Sequence, residues 1–133
     1  MKRDLGIGLL LLSLALGGCG RMDKAAVLQE QTQLASTVAE SRLLAQSAAD
    51  GRLTTPFVAV RTSELADDAR AVASALDDSA VSPGARAEAH RLRAAAEQVV
   101  AAMERLNGRP GDRAVASEVA VRLGEVDREL RGP

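Results

Sequence analysis

The sequence predicts an all-α chain folded as an antiparallel, up-down four-helix bundle. Three observations predict it. Apolar residues recur at alternating steps of three and four in separate blocks, the period of a helix with one buried stripe. Gly and Pro fall mostly between those blocks, where helices stop and start. Phe57 is the single aromatic residue, and no run alternates apolar and polar as a half-buried strand does.

The first helix is expected from Asp23 to about Ala49, with Asp23 as its cap. Its apolar face carries Val27, Leu34, Val38, Ala45 and Ala48, widened by Leu28, Leu44 and Ala35. Asp50-Gly51 stops it, because Gly accepts the left-handed conformation that ends helices. Rich in Gln and Ser, this helix is the expected weakest packer, and the alternative fold is a three-helix bundle with helix 1 as a stalk. The second helix is expected at Thr55-Pro56, a cap followed by a proline whose missing N–H costs nothing there. Val58, Thr62, Leu65, Ala69, Val72 and Leu76 form its stripe, and Phe57 is a lone bulky plug at its start.

Ser82-Pro83 repeats the cap-plus-proline device for the third helix. Ala85, Ala89, Leu92, Ala96, Val99, Met103 and Leu106 then make the cleanest heptad-like seam of the chain, coiled-coil in character. Asn107-Gly108 ends it. The fourth helix follows Pro110-Gly111 with Asp112 as cap. Its face is Val115, Val119, Leu123, Val126 and Leu130, and Glu118–Arg122 and Asp127–Arg131 are spaced to pair at i, i+4. Helices of about 20–27 residues joined by connections of about four to six pack antiparallel. Alanines in the seams let them approach closely.

Residues 1–18 have a different composition. Lys2 and Arg3 precede an apolar run from Leu5 to Leu16, about 12 residues where a spanning helix needs roughly 20. That is the layout of a secretory signal. Leu16-Gly17-Gly18-Cys19 closes it. Here the sequence resembles bacterial lipoproteins, whose lipobox is a Leu, two small residues and a Cys. The resemblance covers residues 1–20. It implies that Leu16, Gly17 and Gly18 are the signal-peptidase recognition residues. It implies cleavage before Cys19 and lipidation, with palmitate among the acyl groups, of the Cys19 thiol. Two or three chains make a stable membrane anchor where one is marginal. Gly20 follows, where Asp tends to retain such proteins in the inner membrane, so the pattern is similar to outer-membrane lipoproteins facing the periplasm. The expected organisation is therefore a signal peptide (1–18), a lipidated tether (19–22) and a bundle domain (23–133). Helical lipoproteins that are joined to the cell wall end in Lys. This sequence ends Gly132-Pro133, with Lys24 its only Lys after Cys19.

The remaining residues are poor in recognisable chemistry. One cysteine makes neither a disulfide framework nor a multi-cysteine zinc site. His90 is the only imidazole, and it lies near Arg86, Arg93 and Glu97, which suits a solvated or salt-bridged side chain. Met103 falls in the seam and reads as core. The acids Glu64, Asp67, Asp68, Asp77 and Asp78 and the bases Arg86, Arg91, Arg93 and Arg105 read as solvated, mixed helix faces. No Trp or Tyr is present to stack bases, and residues 19–133 carry 15 basic and 17 acidic groups, so no nucleic-acid partner is expected. No catalytic, metal or cofactor site is assigned. The expected function is a lipid-anchored, non-enzymatic interaction or structural module of the envelope: an adaptor, an inhibitor or an immunity-type lipoprotein. Its partners would be the membrane, through Cys19, and another envelope protein or a second copy. The alternative is a small-ligand binder with a cavity between Ala-rich helices.

Overall fold

The computed structural model of the chain describes residues 20–133. Four helices follow in order: α1 (Lys24–Ala49), α2 (Thr55–Ala75), α3 (Arg86–Gly108) and α4 (Arg113–Arg131). Two short 3-10 turns, Asp78–Ala80 and Pro83–Ala85, fill the connection between α2 and α3. The fold is a four-helix bundle, as the periodicity predicts. Cross-helix hydrogen bonds fix the directions. Asn107, at the end of α3, donates to the carbonyl of Ala59, near the start of α2, at 2.7 Å. Gln31, early in α1, donates to the carbonyl of Leu130 at the end of α4 (3.3 Å). Arg113, which opens α4, donates to the carbonyl of Ala49, which closes α1 (2.9 Å).

All members of the expected α2, α3 and α4 stripes are buried, from Val58 to Leu76, Ala85 to Leu106 and Val115 to Leu130. Each fully buried Leu or Val contributes about 1.5–3 kcal/mol over leaving it in water. Helix α1 is no stalk and no weak packer. It pairs chiefly with α4, touches α2 and α3 as well, and buries Leu34, Val38 and Ala45 completely. Its polar composition is absorbed in the seam itself. Thr37 and Ser41 are buried there, where small side chains let the neighbouring backbone come close. The Thr37 hydroxyl donates back to the Gln33 carbonyl, whereas Ser41 Oγ has no hydrogen-bond partner.

The caps largely follow the sequence. Asp23 accepts from the Ala26 N–H (2.9 Å), and Asp112 accepts from the N–H groups of Ala114 and Val115. Gly51 ends the first connection's tight turn with φ +70°, a conformation that costs other residues. Three expectations need correction. Thr54, not Thr55, is the cap residue of α2, and its side chain makes no capping bond. At Ser82-Pro83 the chain makes a 3-10 turn, and the α-helix begins only at Arg86. Leu28 and Ala35 do not widen the buried face of α1, for both point into solvent.

Residue Met22 behaves unlike a tether. Its N–H donates to the Ala80 carbonyl (2.7 Å), and its carbonyl accepts from the Ser82 N–H (2.9 Å). The two bonds form a parallel bridge between Met22 and Val81. Val81 is fully buried and Met22 packs half-buried on the core. Met22, just ahead of α1, is thereby pinned to the connection between α2 and α3. The expected tether of 19–22 shrinks to Gly20 and Arg21 beyond Cys19, which itself lies outside the described residues.

Candidate functional site

The signal segment 1–18, with Leu16, Gly17 and Gly18, also lies outside the described residues. What the structure places is the surface that follows them. Arg21 and Lys24 are exposed at the pinned end of the bundle. His90 is exposed, and its Nε2 lies within hydrogen-bond reach of the Asp78 carboxylate. Met103 is fully buried, a core residue.

Much of the charge on α2 and α3 is taken up in ion pairs, most of them within one helix. Arg61 bridges Glu64 (2.6 Å) and Glu40 of α1 (2.7 Å). Arg70 bridges Asp67 and Glu104 of α3. Arg91 holds Glu88 (2.6 Å), and Arg93 lies near Glu97. The hydrogen bonds that Arg91 donates to Glu88 keep the Glu88 carboxyl below its ordinary range and raise the Arg91 guanidinium. Glu64 acts likewise on Arg61, and Glu104 on Arg70. The Ser79 N–H, and then its hydroxyl, stabilise the Asp77 anion and lower its pKa. Exposed pairs like these, screened by solvent, add little to stability. Glu118 does not pair with Arg122 along α4. It reaches across to Arg105 of α3, and Arg122 turns to Glu125 (3.0 Å). Asp127–Arg131 forms as spaced (3.1 Å).

A different surface stands out, and the residue pattern did not single it out. An open groove of about 830 Å3 runs between α1 and α4. Gly124 forms part of its lining, beside the Arg42 guanidinium. Arg42, Arg52 and Arg128 line it with one acid, Asp50. A second groove of about 240 Å3 lies between α1 and α2, lined by Leu53, Phe57 and Leu65. Leu43 belongs to both and forms the ridge between them. It is 64% exposed, as is Val121 on the far wall. Phe57 is no buried plug. It is half exposed, because it stands one residue before the buried stripe that starts at Val58.

The large exposed apolar side chains come from three of the four helices. Leu28 and Leu43 come from α1, Phe57 and Val60 from α2, and Val121 from α4. None comes from α3. The signal available in the sequence was charge. After Lys24, helix α1 carries only Glu30, Glu40 and Arg42. Its outward residues Leu28, Thr32, Ala35, Ala39, Leu43 and Gln46 are all exposed and all uncharged.

Among the described residues no group of three or more His, Cys, Asp or Glu side chains could hold a metal ion. Nor is any described helix long and apolar enough to cross a membrane. The cavities described are open surface grooves rather than enclosed spaces between alanine-rich seams. No protein-family model matches the chain, and neither a curated protein nor a solved structure matches it.

Proposed function

We propose that this chain is a lipid-anchored, envelope-located helical protein acting as a non-enzymatic interaction or structural module, on the periplasmic face of the outer membrane. One observation supports the reading above the rest. The lipobox-like Leu16-Gly17-Gly18-Cys19 stands just ahead of Met22, which is hydrogen-bonded into the folded domain. Acyl chains on Cys19 would then hold a preformed helical surface directly against the membrane, with no flexible leash to let it roam. From Met22 back to Cys19 the backbone reaches only about 10–11 Å.

Cys19→Ala tests it. The expected result is loss of palmitate labelling and transfer of the protein out of the membrane fraction. A variant that stays fully in the outer-membrane fraction overturns the anchor. A second reading, a small-ligand binder, draws on the groove between α1 and α4, where Arg128 stands beside the Arg42–Asp127 and Arg52–Asp50 pairs. Native mass spectrometry of the full chain would show such a ligand as a discrete added mass.

A further inference from the structure

We propose that the α1 side of the bundle is a membrane-facing surface, so that the anchored protein lies along the bilayer on α1 instead of standing on its end. The proposal rests on the anchor reading above. Four observations converge on it.

The first is where the chain outside the structure ends. It arrives at Gly20, within two residues of Met22 and at the head of α1. The Met22–Val81 bridge ties Met22 to the folded domain at that entry point. The anchored Cys19 therefore lies within about 10–11 Å of Met22, a distance comparable to the width of one helix with its side chains. Lying on α1 needs no longer link than this.

The second is the face itself. Leu28, Ala35, Ala39 and Leu43 are exposed along α1, with Thr32 and Gln46 between and beyond them. No charge interrupts that strip. Leu28 and Leu43 are 15 residues apart, about 22 Å along the helix, so the strip spans most of the length of the bundle. Thirdly, Phe57 of α2 and Val121 of α4, both exposed, line the grooves on either side of Leu43, while α3 has no large exposed apolar residue.

The fourth is charge. The groove beside the strip is lined by Arg42, Arg52 and Arg128; Arg42 pairs with Asp127 (3.7 Å) and Arg52 with Asp50 (3.4 Å), while Arg128 makes no ion pair among the described residues. Arg21 and Lys24 are exposed where the chain enters. The exposed acid of α1, Glu40, is held by Arg61 (2.7 Å). An apolar strip with arginines at its margin matches an interface of acyl chains and anionic headgroups. The face need not hold the protein to the membrane by itself, because the lipid does that. It has only to choose an orientation, and modest apolar contacts suffice.

The test uses the full-length lipidated protein in vesicles of phosphatidylethanolamine and phosphatidylglycerol. A small environment-sensitive fluorophore is placed by a non-natural amino acid at Leu28, Leu43 or Ala94, each an exposed position. Ala94 lies on α3, the helix diagonal to α1. Quenching by lipids labelled near the headgroup is expected to be strong at both Leu28 and Leu43, and several-fold weaker at Ala94. Strong quenching at Leu28 with little at Leu43 means an end-on stance and overturns the proposal. Equal quenching at all three sites overturns it too. A photo-crosslinker at Leu43 that couples to a protein or a second copy, and not to lipid, assigns the face to that partner instead and overturns it. In these three outcomes the protein still floats with the vesicles, so the anchor survives. A protein that does not float removes the anchor reading and the stance together.

Discussion

Gly124 offers a sharp test of the packing between α1 and α4. It sits inside α4, where glycine is destabilising by roughly 0.8–1 kcal/mol relative to alanine. It has no positive φ to justify it. The atoms nearest a Cβ built there belong to the Arg42 guanidinium, with Cζ at 3.6 Å and Nε and Nη2 at 3.7 Å. Those are ordinary contacts, made by the movable end of a long side chain. Gly124→Ala should therefore stabilise the bundle by about 0.5–1 kcal/mol, partly by narrowing the unfolded ensemble. In a domain of this size that raises Tm by about 2–6 °C. Thermal and urea unfolding followed by far-ultraviolet circular dichroism would read it. An unchanged or lower Tm would refute the reasoning. It would mean that Arg42, whose Nε is buried without a partner, is wedged against α4 and cannot yield. The glycine would then be required for packing, not merely tolerated.

Gly51→Ala should have the opposite sign. Its φ of +70° strains any side chain, and a Cβ would lie 3.1 Å from Cζ of Arg113, so the same melts should show a loss of about 1–2 kcal/mol. Leu92 is fully buried at mid-seam in α3, and Leu92→Ala should cost about 2–5 kcal/mol; a smaller loss would indicate that the Ala-rich seam collapses into the gap. Asn107 donates to Thr62 Oγ1 (2.9 Å) as well as to Ala59. Asn107→Ala and Thr62→Val should thus be coupled by about 0.5–1 kcal/mol in a double-mutant cycle, and simple additivity would count against the link. The Asp77 and Glu88 carboxyls are both held below their ordinary values of 3.8 and 4.5. Their contribution is complete above those values and lost as pH falls through the lowered ones. The urea midpoint should stay level from neutrality to about pH 5 and decline below about pH 4.5, less steeply in the Asp77→Asn, Glu88→Gln double variant.

Three of the four buried stripes are written plainly in the sequence, because Val, Leu and Ala at heptad spacing in α2, α3 and α4 have no other use. Helix α1 is harder for a physical reason. Its true seam runs through Leu34, Val38, Ser41, Ala45 and Ala48, with Thr37 beside it. The hydroxyl residues complete the spacing, but a search for apolar residues passes over them. The same search drew Leu28 and Ala35 inward, because α1 is weakly polar on both sides and its period is blurred. Phe57 misled by its size, since bulk says nothing about which side of Val58 faces the core. Cross-helix pairs such as Glu118–Arg105 and the Met22–Val81 bridge depend on tertiary closeness, which local spacing does not carry. The lipobox resemblance marks where an anchor would be, whereas the α1 face becomes visible only once each exposed side chain is assigned to a side.

The pairing of the first helix with the last also governs when the molecule can fold. The side chain of Gln31 meets the carbonyl of Leu130 across 99 residues of sequence. Until α4 has been synthesised, Leu34, Val38 and Ala45 lack the partner that covers most of their seam, and domains of this kind fold as units. The nascent chain thus remains open through nearly all of its translation. On the proposed route to the envelope, an export channel that accepts only unfolded polypeptide would meet this chain in an acceptable state, and the bundle would close once its last helix emerged on the far side.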